Sequence, residues 1–367
     1  MVKDATRVFG LTAILTGIAA SALMQTMLST AMPRIAVDLD AGNVYGWVFA
    51  AYLLTSTLPM PVFSHLADYR GRRTLFVWGI AGFMLGTAGA ALATSGALLV
   101  LARIVQGLGA AALVPAALGA IGDLTGEARG RFFGAVGIIQ VVANVTGPLL
   151  GGWFTDGPGW RIGLWAIVPV CMVSMVAAFI GLPHEARSSW PDAWRSLDPL
   201  EPVRRVAHDR QMRAIAWSAL GVGAILMTTT AAVPLLVQGR LGESATSSSI
   251  ALIALMAGVG IGSALGGRAA ERIPAIARRT SWIAIIIGCL GLVVVSLLHG
   301  SMAWIAVVVG LAGLGVGTLT PILLVQAQAI GGETAAARAS TIVQLARNIG
   351  GAIGTSLLGI LATHIIR

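Results

Sequence analysis

The sequence predicts an all-α membrane protein of two pseudo-symmetric helical bundles, on three observations. Apolar runs of about twenty residues, each long enough to cross a bilayer as a helix, recur along the 367 residues, of which 56% are hydrophobic and only 11% charged. A soluble domain carries roughly a quarter charged residues. The basic turn SHLADYRGRR (64–73) returns in degraded form as GGRAAERIPAIARR (266–279), placing Glu271 203 residues after Asp68. The same offset lays Gly147 on Gly350 and Gly151 on Gly354, while Pro33 and Pro234 stand 201 apart. Finally, the net charge of +9 is gathered in short loops, the distribution that membrane orientation requires and nucleic-acid binding does not.

Taken in order, the apolar runs predict spans at 9–32, 46–64, 74–94, 97–122, 131–154 and 160–182, forming an amino-terminal six-helix bundle within 1–183. The stretch 184–212 carries three prolines and charges of both signs, so it reads as a cytoplasmic linker. Spans resume at 214–238, 247–267, 280–299, 302–329 and 338–363, giving a carboxyl-terminal bundle at 213–367 with five spans and a total of eleven. At the repeat offset Arg367 answers to Leu164, just inside the sixth span, so a twelfth span is expected to be missing from this sequence. The first run, behind Lys3 and Arg7, is too long for a cleavable leader and reads as an uncleaved first helix.

With the amino end inside, eighteen Lys and Arg fall on the inner side, against Arg34, Arg161, Arg240 and Arg367 outside. That bias predicts a multi-pass protein of a bacterial cytoplasmic membrane with its amino end and linker in the cytoplasm. Trp47, Trp160, Trp217, Trp282 and Trp304 stand at span starts, where amphipathic rings favour the headgroup region. Cys171 and Cys289 lie in apolar runs of different halves and read as free thiols.

Four stretches resemble motifs of the major facilitator superfamily, in particular its drug:proton antiporter branch. LMQTMLSTAMPRIAVDL (23–39) looks like the branch's first-helix motif, and SHLADYRGRR like the loop motif between helices two and three, with Ser64 in place of the usual glycine. LARIVQGLGAA (101–111) resembles the fourth-helix motif and VTGPLLGG (145–152) the fifth-helix antiporter motif; QLARNIGGAIG (344–354) resembles the eleventh helix. The resemblance implies the major facilitator fold, two bundles rocking about a central cavity, and proton-linked efflux of lipophilic drug-like or natural-product molecules by alternating access.

Each motif carries an expectation. Asp68, with its echo Glu271, would cap the start of the eleventh helix, and Arg72 would pair with Asp123. These four form a gating latch on the inner side. Gly147, Pro148, Gly151 and Gly152 interrupt the fifth span and permit close approach, which the resemblance reads as a leak-proof seam. Arg103 and Arg347 are ionisable groups inside spans, costly there and usually functional. Arg103 lies roughly 10 Å from the outer end of its span, at the depth of position 24, where Met24 stands instead of the branch's usual aspartate. None of the fifteen acids falls near a span's middle. The expected substrate and coupling cavity is therefore Met24, Gln25, Arg103, Gln106, Gln140, Asn144, Gln344, Arg347 and Asn348. It disfavours bare cations and tolerates neutral or anionic lipophiles. Asp68, Asp123 or His65 would carry protons in default of Met24. For each arginine the competing reading is structural, a guanidinium bonded to carbonyls of neighbouring helices.

Enzyme chemistry, cofactors and metal ions are not expected. The glycine-rich GLGAA and GVGIG lie inside apolar helices, without the lysine or strand of a nucleotide loop. His65, His184, His208, His299 and His364 are too scattered for metal spacing, and no Ser/His/Asp arrangement suggests a hydrolase. The expected partners are lipid, a small-molecule substrate and protons, with the protein a monomer. Two other functions fit the same residues: a uniporter or importer of an organic anion, and a transport-dead membrane sensor or partner.

Overall fold

The computed structural model describes residues 2–125, 129–183, 209–272, 274–297 and 301–362, and among these the chain is helical, without strands. The helices are α1 Val2–Asp38, α2 Tyr45–Thr57, α3 Met60–Arg70, α4 Arg72–Ala91, α5 Gly96–Thr125, α6 Arg129–Asp156, α7 Trp160–Gly181, α8 Arg210–Pro234, α9 Ala245–Arg272, α10 Pro274–Leu297 and α11 Met302–Ala362. Nine stretches of the described residues are long and apolar enough to cross a membrane. The linker expected at 184–212 lies outside the described residues up to 208. At its end the Asp209 carboxylate accepts from the amides of Gln211 (2.7 Å) and Met212 (3.3 Å) and so caps α8.

The bundle end at which α1 begins is called near below, and the end at which it finishes far. Helices α1–α7 pack around one core, with Met24, Leu28, Phe76, Phe83 and Leu113 among its wholly buried side chains. Helices α8–α11 pack around two smaller ones, centred on Val222, Leu319 and Leu323 and on Val237, Leu252 and Val309. Lipid offers no hydrophobic drive between helices, so close packing of small residues has to supply the attraction. Between α4 and α5 the backbones meet at Gly79, Gly82 and Gly86 on one helix and Gly109 and Gln106 on the other. Gly107 faces α2 at Tyr52 and Thr55. A Gly109→Val change would drive its branches into the Phe83 amide and the Gly79 carbonyl. It is expected to cost about 2–3 kcal/mol or more, read as an earlier thermal unfolding transition in detergent.

The structure departs from the expected spans at two places. The expected basic turn 64–73 is helical up to Arg70, and the reversal is made by one residue, Gly71, at φ 90°. A side chain is strained at that angle and glycine is not. The span expected at 46–64 is broken between Thr57 and Met60, where the ring of Pro59, with Pro61 following, removes backbone donors. The second departure is α11, helical throughout Met302–Ala362 where a loop was expected before 338. Its packing shows two legs. Ile305 and Val309 lie against the far end of α8 at Val233 and the turn just beyond it at Val237, and Leu319 and Leu323 against its near part. Beyond the reversal, Gly350 meets Leu220 and Gly354 meets Ala224, so this leg climbs back alongside α8. Trp160 also differs from a headgroup anchor: it is buried, and its indole Nε1 donates to Asp38 Oδ2 at 2.9 Å.

Candidate functional site

Arg103 is the largest wholly buried side chain among the described residues, 1% exposed. The α2 helix passes close enough, through Gly107, for the Arg103 Nε to donate to the carbonyl of Val48 at 3.1 Å. One guanidinium nitrogen donates to Gln106 Oε1 one turn along α5, and the other to Gln25 Oε1 on α1 at 3.4 Å. The ring of Tyr52 lies 4.1 Å from the guanidinium carbon, a cation–π distance. Gln106 in turn donates to Thr87 Oγ1 at 2.7 Å, which donates to the Phe83 carbonyl at 2.8 Å. This chain of donors joins α1, α2, α4 and α5. Arg103, Gln25 and Gln106 therefore come together, and Met24, next to Gln25 on α1, is wholly buried.

Arg347 is placed differently. It stands one turn nearer than Gly351, which packs against Leu53 of α2 and Met227 of α8, and its own carbonyl abuts Gly223 of α8. Its neighbour Asn348 donates to Thr57 Oγ1 at 2.7 Å, a bond between α11 and α2. The Arg347 side chain is half-buried, and no hydrogen bond or ion pair to its guanidinium is found among the described residues. Gln344 and Asn144 are half-buried and Gln140 is exposed. Of the nine expected cavity residues, Met24, Gln25, Arg103 and Gln106 are packed together, Gln344, Arg347 and Asn348 form a less covered stretch of α11, and Gln140 and Asn144 stand apart on α6.

The antiporter-like stretch of α6 lies between α1 and α9. Gly147 faces Thr26 and Gly151 faces Met27 of α1, while Gly152 faces Thr246 and Ser249 of α9. Pro148 lies inside α6, and its carbonyl accepts from Ser249 Oγ at 2.6 Å. Of the expected gating latch, the side chains of Asp68, Asp123 and Glu271 lie outside the described residues. Arg72 donates to the Gly119 carbonyl of α5, one turn before Asp123.

Several residues that the sequence reading passed over join α1–α7 to α8–α11 toward the far end. The Tyr45 hydroxyl donates to the Ala231 carbonyl at 2.9 Å. Gln238, in the π-helical turn Leu235–Arg240 that continues α8, donates to the Thr30 carbonyl at 2.8 Å and reaches Ser248 Oγ at 2.9 Å. The Asp156 carboxylate accepts from the amides of Ala245 (3.0 Å) and Thr246 (2.7 Å) and from the Thr246 hydroxyl (2.6 Å). Pro234 ahead of a polar glutamine was the available signal for the π-turn. Nothing local marks Tyr45 or Asp156, since both act across the bundle.

A family model described as Major Facilitator Superfamily matches residues 14–355. The chain is 26% identical over 409 residues to "Multidrug transporter protein MdtP" of Bacillus subtilis (strain 168), covering 97% of this chain and 75% of that protein. It is 28% identical over 419 residues to "Puromycin resistance protein pur8" of Streptomyces alboniger, covering 98% and 82%. Other relatives match less than half of this chain, which spans about a third of their length. Among solved structures, a bacterial homolog to the human lysosomal transporter Spinster, inward-facing and unoccupied, superposes with a TM-score of 0.72 at 17% identity, covering 97% of this chain and 82% of that one. At that identity the likeness shows the fold alone.

Proposed function

The chain belongs to the Major Facilitator Superfamily, and from that premise we propose that it is a secondary active exporter of lipophilic drug-like or natural-product small molecules, working by alternating access. In this reading 1–183 and 213–367 are the two rocking bundles, 184–212 is the cytoplasmic linker, and the near end faces the cytoplasm of a bacterial cell. The protein acts as a monomer in the cell membrane.

One observation carries the reading: the far end is closed by hydrogen bonds and small-residue contacts between the two groups of helices. Tyr45, Gln238, Asp156 and Ser249 each bond the backbone of the other group. Such contacts can be exchanged for water at modest cost when bundles rock apart, because the net worth of each is about 1 kcal/mol. The curated relatives named for multidrug transport and puromycin resistance support export as its direction.

Proton coupling belongs to the proposal with a different carrier from the usual one. Met24 cannot titrate and is wholly buried, so proton transfer would run through Asp68, Asp123 or His65 at the near end. Reconstitution in liposomes tests both parts. Export of a lipophilic substrate panel should be driven by an imposed pH gradient, and Asp68→Asn should abolish the driven component. Transport that ignores the gradient supports the second reading, a uniporter of organic anions, which the half-buried Arg347 favours.

A further inference from the structure

We infer that Asp156 is the positioning residue that latches the far gate: its carboxylate, on the last residue of α6, caps the first turn of α9 in the opposite group of helices. The inference rests on the alternating-access reading above, and concerns which contact sets the balance between the far-closed and far-open states.

The first turn of α9 shows why an outside partner is needed. A helix begins with amide N–H groups that have no partner within it. Ser244, the residue before α9, satisfies part of the set: its hydroxyl accepts from the Ser247 amide at 3.0 Å, and its carbonyl accepts from the Ser248 amide at 3.2 Å. The amides of Ala245 and Thr246 remain, and Asp156 takes both, along with the Thr246 hydroxyl. A carboxylate also meets the positive end of the α9 dipole there, so charge and hydrogen bonding act together. The same two helices touch one turn deeper, where Ser249 donates to the Pro148 carbonyl and Gly152 lets the backbones close in. Asp156 thus finishes a seam whose deeper part is packed.

The latch is placed where it can be released. Asp156 is exposed on a vestibule of about 870 Å³ at the far end, which Arg34, Asp38, Gln238, Glu243 and Ser244 also line. The other acids there are engaged elsewhere: Asp38 pairs with Arg34 at 3.1 Å and accepts from Trp160, and Glu243 accepts from Ser247 within its own segment. Of the three, only Asp156 is bonded across the two groups of helices. When the far end opens, the carboxylate and both amides pass to water together, and capping of this kind is worth roughly a factor of five to ten in the equilibrium.

The test uses the full chain in liposomes with spin labels at Asn43→Cys and Arg240→Cys, one exposed far-end position in each group, and pulsed distance measurement. Protein without introduced cysteines supplies the background from Cys171 and Cys289. Asp156→Ala should raise the ratio of long to short distances about five- to tenfold, Asp156→Asn should fall between, and Asp156→Glu should restore most of the closed population. Melting temperature should fall by no more than about 2–4 °C across the series, because the residue is exposed and the deeper seam remains. A distance distribution for Asp156→Ala that coincides with the parent's overturns the inference. A matched pair of aromatic carboxylate and quaternary ammonium probes separates this from the transport reading. If neither probe moves the parent's distribution and Asp156→Ala does, the latch stands and the transport reading falls. If a probe moves it and Asp156→Ala does not, the latch falls alone.

Discussion

Arg103→Ala is expected to unfold the protein at lower temperature, by about 3–5 kcal/mol, before any effect on transport can be read. The substitution opens a cavity in a wholly buried site and leaves the Val48 carbonyl and Gln106 Oε1 without their donor. Large-to-small changes in packed cores cost about 2–5 kcal/mol, and an orphaned buried acceptor costs about 1–3 kcal/mol more. It also removes the cation from the face of Tyr52. Arg103→Lys should recover only part of the loss, because an ammonium cannot serve Val48, Gln25 and Gln106 with one planar fork. Thermal unfolding of purified variants in detergent measures this. A melting curve for Arg103→Ala that overlays the parent's would return Arg103 to the substrate-binding candidates.

That expectation shows what the sequence could and could not reveal. An arginine in an apolar run announces itself, and QGLGAA beside it announces a tight helix pair; both are properties of a single helix. Whether the guanidinium faces a cavity or a ring of carbonyls depends on α2 and α1, which the chain brings alongside from about fifty and eighty residues away. The helices and their order were legible because lipid demands long apolar segments and leaves few alternatives. The seam at Gly147, Gly151 and Gly152 was legible for a related reason: only small residues let backbones touch. The far gate was not legible. Tyr45 donates to a carbonyl 186 residues away and Asp156 accepts from amides about ninety away, and backbone partners leave no pattern in sequence. The turn expected between 329 and 338 is where α11 reverses; only its helical character was not legible, because alanine-rich residues near 335–340 keep their helical preference through it.

Arg347 should behave in the opposite way to Arg103: Arg347→Gln is expected to leave stability within about 1 kcal/mol of the parent and to change what is transported. With no hydrogen bond or ion pair among the described residues, the guanidinium has little native bonding to lose, and a glutamine of similar reach avoids a void. A cation held in this environment is costly, and an anionic or strongly polarised group on a bound molecule lowers that cost. Charge-assisted hydrogen bonds contribute about 1.5–3 kcal/mol, so removing the charge should lower kcat/KM for a lipophilic carboxylate about ten- to a hundredfold. A cationic analogue of the same size should be exported as well as before or better, because a repulsion has been removed. Transport of the matched pair by parent and variant in liposomes decides the matter. Equal losses for both analogues would mean that Arg347 shapes the bundle rather than selects the substrate. A loss confined to the cation would reverse the assigned charge preference. The half-buried position beside Gly351, where α2, α8 and α11 converge, is what makes selection the expected outcome: a molecule lodged between the two groups of helices would meet this charge at the level where Asn348 already bridges them to Thr57.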